Sequence, residues 1–199
     1  MMKSYPITQR NKVIRGPKRA CYDQEVIHAI LDEAMVCHVS CQSDQGPLIQ
    51  PTLHWRVDEV LYIHGSSKNG LFQQLLNGAE ASIAITLLDG IVFARSAFHH
   101  SVNYRSVILH GKAYEVTDEV EKRASLDALM EKFHQGRSKE ARPANDTELK
   151  ATSVLAFKLE NISAKIRTGG PIDDSEDMQL PVWAGVQPIT LKLGDIIYE

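Results

Sequence analysis

Asp89-Gly90 lies between two apolar runs, Leu87-Leu88 and Ile91-Val92-Phe93, and this is the strongest local folding signal in the chain. Asp and Gly tolerate the positive φ angles that a two-residue type I′ turn needs, so the pattern predicts a β-hairpin here. The neighbouring text has the same character. Met35–Cys41, Leu48–Val57, Val60–His64, Ala81–Leu88, Tyr104–Val116 and Ser153–Leu159 read as strands, and Ile162–Arg167 as a continuation of the last. Gln42–Pro47 and Asp58-Glu59 carry turn chemistry, and Gly111 is the expected bend in the long sixth strand.

Helices interrupt at long intervals. Asp23 caps a first one, with Val26, Ile27, Ile30, Leu31 and Ala34 along one stripe. Ser66 or Ser67 opens a short second helix that stops at Asn77-Gly78. Thr117 or Asp118 opens a third, with Val120, Ala124, Leu126, Leu129, Met130 and Phe133 on its expected buried side. Residues 1–22 read as a basic arm, 134–146 as a polar loop, 173–177 as a solvated acidic run and 168–199 as an irregular tail, all within one domain spanning 1–199. The absence of a regular β-α-β alternation argues against a doubly wound parallel sheet, and a mainly β antiparallel barrel or sandwich with flanking helices fits better.

Composition narrows the function classes. A formal charge of −3 gives no electrostatic case for a nucleic-acid partner. No stretch reaches the ~20 apolar residues of a membrane span, and residues 1–19 lack the apolar core of a signal peptide, so a cytoplasmic protein is expected. Cys37 and Cys41 are four apart on one strand face, roughly 13 Å at strand rise, too far to share a metal or a disulfide. They read as buried thiols, with His38 and Ser40 on the opposite face. There is no helical His-x3-His pair with a Glu and no Gly-x-Ser-x-Gly elbow, so neither a zinc hydrolase nor an esterase is indicated, and no metal ligand set is assigned.

Two constellations remain. Gly65-Ser66-Ser67-Lys68-Asn69-Gly70 joins a strand to a helix and offers hydroxyls, an ammonium and helix-start amides to an anion; the alternative is a Ser-capped helix beside a solvated lysine. It is not a P-loop, because Leu71-Phe72 replaces the Lys-Ser/Thr pair. Arg95, His99, His100, Tyr104 and Arg105 cluster in one segment suited to anion binding or proton transfer, or simply to a solvated loop. Arg105 and Ser106 must face opposite ways on a regular strand, so one ligand meets both only at a strand end, a bulge or a subunit seam.

The runs Leu61-Tyr62-Ile63-His64-Gly65-Ser66-Ser67 and Ala94-Arg95-Ser96-Ala97-Phe98-His99-His100-Ser101 continuing to Asn103-Tyr104-Arg105-Ser106-Val107, with Leu180–Pro188, resemble the pyridoxamine 5′-phosphate oxidase-like superfamily. Within it the chain is similar to the flavin-nucleotide-binding, nitroimidazole-resistance-type branch. That resemblance implies an antiparallel split β-barrel, a homodimer, and FMN in a cleft between subunits. It places the isoalloxazine along Gln50, Pro51, Thr52 and Leu53, and the phosphate near His64, Gly65, Ser66, Ser67 and Lys68. Arg105 and Ser106 match a strand that touches the flavin. Relatives carry arginine where this chain has Lys68, a point charge without a bidentate fork. The implied function is an FMN-dependent oxidoreductase acting on a small molecule, with no residue marked as catalytic. The alternatives are a flavin- or haem-binding sensor or store, with His54, His64, His99 or His100 as haem ligand, and a barrel serving only as an assembly surface.

Overall fold

The computed structural model describes residues 3–199, so Met1 and Met2 of the expected arm lie outside the described residues. In chain order the elements are β1 (Ala20–Cys21), α1 (Gln24–Glu33), β2 (Val36–Ser43), β3 (Gly46–Val57), β4 (Val60–Ser66), α2 (Gly70–Leu76), β5 (Glu80–Phe93), β6 (Ser101–Lys112) and β7 (Tyr114–Glu115). They continue with α3 (Glu119–Phe133), α4 (Arg137–Glu140), α5 (Asp146–Ala151), β8 (Thr152–Lys158), β9 (Asn161–Arg167) and β10 (Gly185–Pro188). Every strand pairing is antiparallel, in the order β1-β9-β6-β5-β2-β3-β4-β8-β7, with β10 added to β5. This is the mainly β split barrel expected from the sequence.

The Asp89-Gly90 hairpin does not form. β5 runs unbroken through both residues, and its register against β6 slips between Leu88 and Gly90. Asp89 is the extra residue of a β-bulge, which inverts the in-out alternation. Ile83 and Ile85 face the core before the bulge, and Val92 does so after it. Turn propensity at Asp-Gly is satisfied equally by a bulge, and the distant partners decided between them. One of these is β10, which approaches so closely that a Cβ on Gly90 would lie 3.0 Å from the Gln187 carbonyl oxygen.

The other turns and caps follow the sequence more closely. Asp23 caps α1 by accepting from the Val26 amide at 3.0 Å, and Asp118 caps α3 by accepting from the Glu121 amide at 2.8 Å. Asp58 takes φ 48° in the tight β3–β4 turn. The β2–β3 turn is shorter than expected, since pairing continues to Ser43 and Gly46. α2 is capped by Asn69 rather than by Ser66 or Ser67. The long sixth strand breaks at Ala113, not Gly111, where the chain leaves β5 and β9 for β8. Ile162–Arg167 is a separate strand that turns back to pair with β6, rather than an extension of β8.

Two expectations about irregular segments are also corrected. Residues 134–146 contain α4, and α5 begins at Asp146 under a capping box formed by Asn145 and Glu148. The C-terminal segment contains β10, and within the acidic run Asp173 is not solvated. It accepts from the Arg95 amide and guanidinium, both at 2.8 Å, with its side chain 1% exposed. The basic arm packs on the body through buried Tyr5 and Asn11; the Asn11 amide donates to the Ile162 carbonyl at 3.1 Å.

Two cores lie on opposite sides of the same wall. The barrel interior holds Ile27, Leu31, Cys37, Val39, Ile83 and Leu109 among others, with Cys37 and Cys41 both buried as the alternation predicts. Burial pushes the Cys37 thiol up to about 12, which leaves it an inert apolar group. A second cluster, built on Trp55, Tyr62, Val116, Leu129, Val154 and Ala156, lies outside β3, β4 and β8 beneath α3. Trp55 and Tyr62, cross-strand partners, stack at 5.7 Å.

Replacing Gly90 with valine forces branched methyls against Gln187 and Val186. The expected result is a core that still folds, destabilised by about 1–3 kcal/mol as in other overpacked sites. Its β10 should detach, giving faster amide exchange and proteolysis within 185–199 while 81–112 remains protected. Unchanged protection of 185–188 would refute the close approach.

Candidate functional site

The outer wall of the barrel is divided. Where α3, α4 and α5 cross β3 and β4 they enclose a cavity of about 570 Å³, lined chiefly by Leu53, Leu126, Leu129, Met130, Phe133 and His64. This explains why the apolar face of α3 does not pack as the sequence suggested. Only Ser125 and Leu129 are buried along the helix, Val120 is exposed, and Met130 and Phe133 roof open space. His64 Nδ1 is buried without a hydrogen-bond partner, and burial lowers the imidazole pKa, so the ring is held neutral. The Trp55 ring lies 5.7 Å away. Arg123 and Arg142 also line the cavity; they pair with Glu119 and Glu148 at 2.9 and 2.7 Å.

Beyond the cavity the same outer wall is bare. Val36 and Leu53, His38 and Pro51, and Ser40 and Ile49 are cross-strand pairs and therefore share this face. Ala84, Thr86, Leu88, Ser106 and Ile108 continue it across β5 and β6. Ile49 is 70% exposed and Leu88 52%, an apolar surface over β2, β3 and β5 that no described element covers, while at Ser106 and Ile108 the face borders a pocket whose other side is the basic arm at Arg10 and Arg15.

The sequence-derived residues separate around this wall. Pro51 faces outward and Leu53 reaches the cavity, whereas Gln50 and Thr52 have the opposite parity, and Gln50 accepts from the Asn69 amide group at 3.0 Å. His64, Gly65 and exposed Ser66 end β4, followed by exposed Ser67 and Lys68. Lys68 has no ion-pair partner among the described residues. The first amides of α2 are not open to a ligand, because Asn69 Oδ1 accepts from Leu71 and Phe72 at 2.9 and 3.4 Å. Ser106 lies on the outer face and donates to the Lys165 carbonyl at 3.2 Å.

Arg105 points the other way, as strand parity requires. Its guanidinium donates to Glu33 and, at 2.7 and 2.9 Å, to the carboxylate that the bulge places at Asp89. The Arg105 guanidinium in turn holds the Glu33 carboxyl below its usual range. Two carboxylates already neutralise this arginine. His54, one of the haem-ligand alternatives, is fully buried with Nε2 on the Leu31 carbonyl at 3.0 Å, away from the cavity lining. His99 contacts Asp174 at 3.1 Å and His100 contacts the Ser96 carbonyl at 3.1 Å. His99, from the segment before β6, and Asp174 and Asp177, from the segment after β9, bring their donor atoms within 4.8 Å of one another.

Two cations that sequence reasoning missed are drawn in from solvent. Lys132, near the end of α3, donates to the carbonyls of Leu31, Ala34 and His54 at 3.0, 2.6 and 2.9 Å, closing the C-terminus of α1. Burial brings its amine down to about 8. Arg167 is buried without a carboxylate partner. A single lysine on a weakly amphipathic helix and an arginine at a strand end carry no local signature.

Among the described residues, no helix is long and apolar enough to cross a membrane. The family model described as pyridoxamine 5′-phosphate oxidase matches residues 23–166. No curated protein matches the chain by sequence. Among solved structures, the flavocytochrome Anf3 from Azotobacter vinelandii is 38% identical, with 96% of this chain and 89% of that one covered and a TM-score of 0.92. The FAD and heme binding protein from Mycobacterium smegmatis is 35% identical over 91% and 89%, with a TM-score of 0.87. A protein from Bacteroides thetaiotaomicron described as a 5-nitroimidazole antibiotic resistance protein shares the fold at 22% identity, over 74% and 86%, with a TM-score of 0.62.

Burial, and then the Lys132 ammonium, lower His54 to about 4 from an ordinary 6.5. The unfolded chain therefore takes up a proton that the folded chain refuses. The His54 contribution is complete above pH 6.5 and is lost as pH falls toward 4, about 3 kcal/mol over the full window. Urea titrations at pH 7.5 and 4.5 should show His54→Gln losing about 2–3 kcal/mol less on acidification than the wild type. Equal losses would contradict this.

Proposed function

This chain belongs to the pyridoxamine 5′-phosphate oxidase-like flavin-binding family, and we propose that it is a dimeric redox protein holding a flavin nucleotide on its bare outer wall and a haem in the α3–α5 cavity. The observation that carries the haem assignment is His64: an unpaired buried imidazole nitrogen on a ring lining an apolar cavity of about 570 Å³. A neutral imidazole is the form that ligates iron, and burial keeps it neutral. Arg123 and Arg142 are the cations on the cavity lining, and propionates there would have to draw them away from Glu119 and Glu148. Two relatives above 30% identity, a flavocytochrome and a FAD- and haem-binding protein, support this reading.

For the flavin, Pro51, Leu53 and the outward side chains of β2 and β5 offer a flat apolar surface, with Ser66, Ser67 and unpaired Lys68 at its edge for a phosphate. One cation suits one phosphate, so FMN is the smallest nucleotide that fits. Bound there, the flavin would supply one- and two-electron redox chemistry, while this chain's residues bind it and exclude water. The uncovered Ile49, Leu88 and Ile108 favour a second copy of the chain closing the slot. Arg105 does not serve the phosphate in this reading, since Glu33 and Asp89 hold it.

A second reading keeps the flavin and omits the haem: an FMN-dependent oxidoreductase whose cavity admits a small apolar substrate. The apolar lining of the same cavity by Leu126, Met130 and Phe133 favours it. Haem titration distinguishes the two. The purified protein should give a sharp Soret band at one haem per chain, and His64→Ala should abolish or broaden it while leaving flavin binding within twofold. A variant with an unchanged spectrum would remove His64 as ligand, and no Soret band in the wild type would favour the oxidoreductase. Light scattering should give about 44 kDa, twice the 22.2 kDa chain; a monomer that binds flavin fully would rule out the shared slot.

A further inference from the structure

Arg167 is 6% exposed, yet no carboxylate faces it. Its guanidinium donates to the Asn103 side-chain oxygen and, at 3.2 Å, to the Gly170 carbonyl, both neutral, and its Nε–H has no acceptor. Elsewhere in this molecule partly buried arginines are neutralised: Arg95 by Asp173, Arg56 by Asp32, Arg105 by two carboxylates. Burying a guanidinium without a counter-charge is costly unless an anion completes it. A second arginine worsens the imbalance: Arg19 is close enough to push the Arg167 pKa down further, after burial itself.

These two arginines line one cavity of about 280 Å³ together with His99, His100, Ser101 and Phe98, and none of its lining residues is acidic. His99 is engaged by Asp174, on the loop beyond the cavity. The His100 ring uses Nδ1 on the Ser96 carbonyl at 3.1 Å, which makes that nitrogen the donor and leaves Nε2 as an acceptor that protonation would turn into a donor. Arg19 is placed by the turn at Gly16, where φ is 69°, and by β1 pairing with β9, so the arm itself builds one wall. At the mouth, Phe98 is 88% exposed beside Ile172, itself 70% exposed. An uncovered aromatic ring next to an unneutralised arginine pair is the combination that recognises a base with a phosphate attached.

We propose that this pocket is a nucleoside-phosphate site: the arginine pair takes the phosphate and Phe98 the base. It involves none of the residues assigned to the flavin phosphate at Ser66–Lys68, and it stands whether or not that assignment does. Two sources share this chemistry, a free adenine nucleotide and the adenylate half of a flavin dinucleotide.

Calorimetric titration of the purified full chain with AMP, inorganic phosphate, FMN and FAD tests it. AMP should bind at least tenfold tighter than phosphate. Arg19→Gln, an exposed change that leaves the core intact, and Arg167→Met should each weaken AMP at least tenfold while FMN stays within twofold. Phe98→Ala should weaken AMP and leave phosphate unchanged. If Arg19→Gln also weakens FAD, the dinucleotide is the source; if FAD is unaffected, a free nucleotide is. Equal affinity for AMP and phosphate would overturn the nucleoside assignment, and so would equal losses for FMN and AMP. No binding of either AMP or phosphate by protein that binds flavin would overturn the site. Binding of AMP without any flavin would uphold the site and sink only the flavin reading.

Discussion

β5 has to satisfy three partners. Along one edge it pairs with β6 for nearly its whole length; along the other it serves β2 with its first half and β10 with its last four residues. A regular strand of this length would point Val92 outward and Ile91 into the core. The extra residue at Asp89 reverses the alternation, buries Val92, and places a carboxylate within reach of Arg105. The same residue's carbonyl accepts from Ile189 at 3.1 Å, where the C-terminal segment leaves β10. Barrel wall, ion-pair cluster and tail thus depend on one inserted residue, which is the usual use of a bulge at the rim of a barrel.

Lys132 plays the matching part on the other side. Three carbonyls converge on one ammonium, two from the end of α1 and one from β3. This fixes α3 across the outer wall without a continuous apolar seam. Because the helix is anchored at this point and by Leu129, the space beneath Met130 and Phe133 can remain open. The cavity at His64 follows from polar anchoring of a weakly amphipathic helix; tight apolar packing would have filled it.

These features divide what the sequence makes legible from what it hides. α1 could be read because its cap and stripe lie within twelve consecutive residues, and the burial of Cys37 and Cys41 because strand parity is local. Asp89-Gly90 misled because turn and bulge use the same residue types, and the choice between them rests on β6 and on β10, roughly a hundred residues away in sequence. The site shows the same division. His64 was found at the right strand end, but its cavity belongs to helices that polar sequence concealed. Arg105 was picked out by its motif, yet Glu33 and Asp89, which neutralise it, sit 72 and 16 residues away in sequence. Arg167 had no motif at all. Its meaning comes from the absence of a nearby carboxylate, which only coordinates reveal.

The two halves of the outer wall must also meet different requirements. Beneath α3 the apolar residues of β3, β4 and β8 are covered by the chain itself, so the cavity there has fixed walls before any ligand arrives. Over β2, β3 and β5 the apolar residues are uncovered, and small or polar neighbours such as Ser40, Ser82 and Ala84 keep that face flat. A flat apolar sheet edged by an unpaired lysine is poor solvent-facing surface but good bedding for a planar ring clamped from the other side. In the proposed dimer the ring would be held between like faces, while the α3–α5 cavity, proposed for haem, would remain a property of the single chain. Ligand exchange at the two sites would then depend on different things: at the slot on subunit association, and at the cavity on how firmly Lys132 holds α3 against α1.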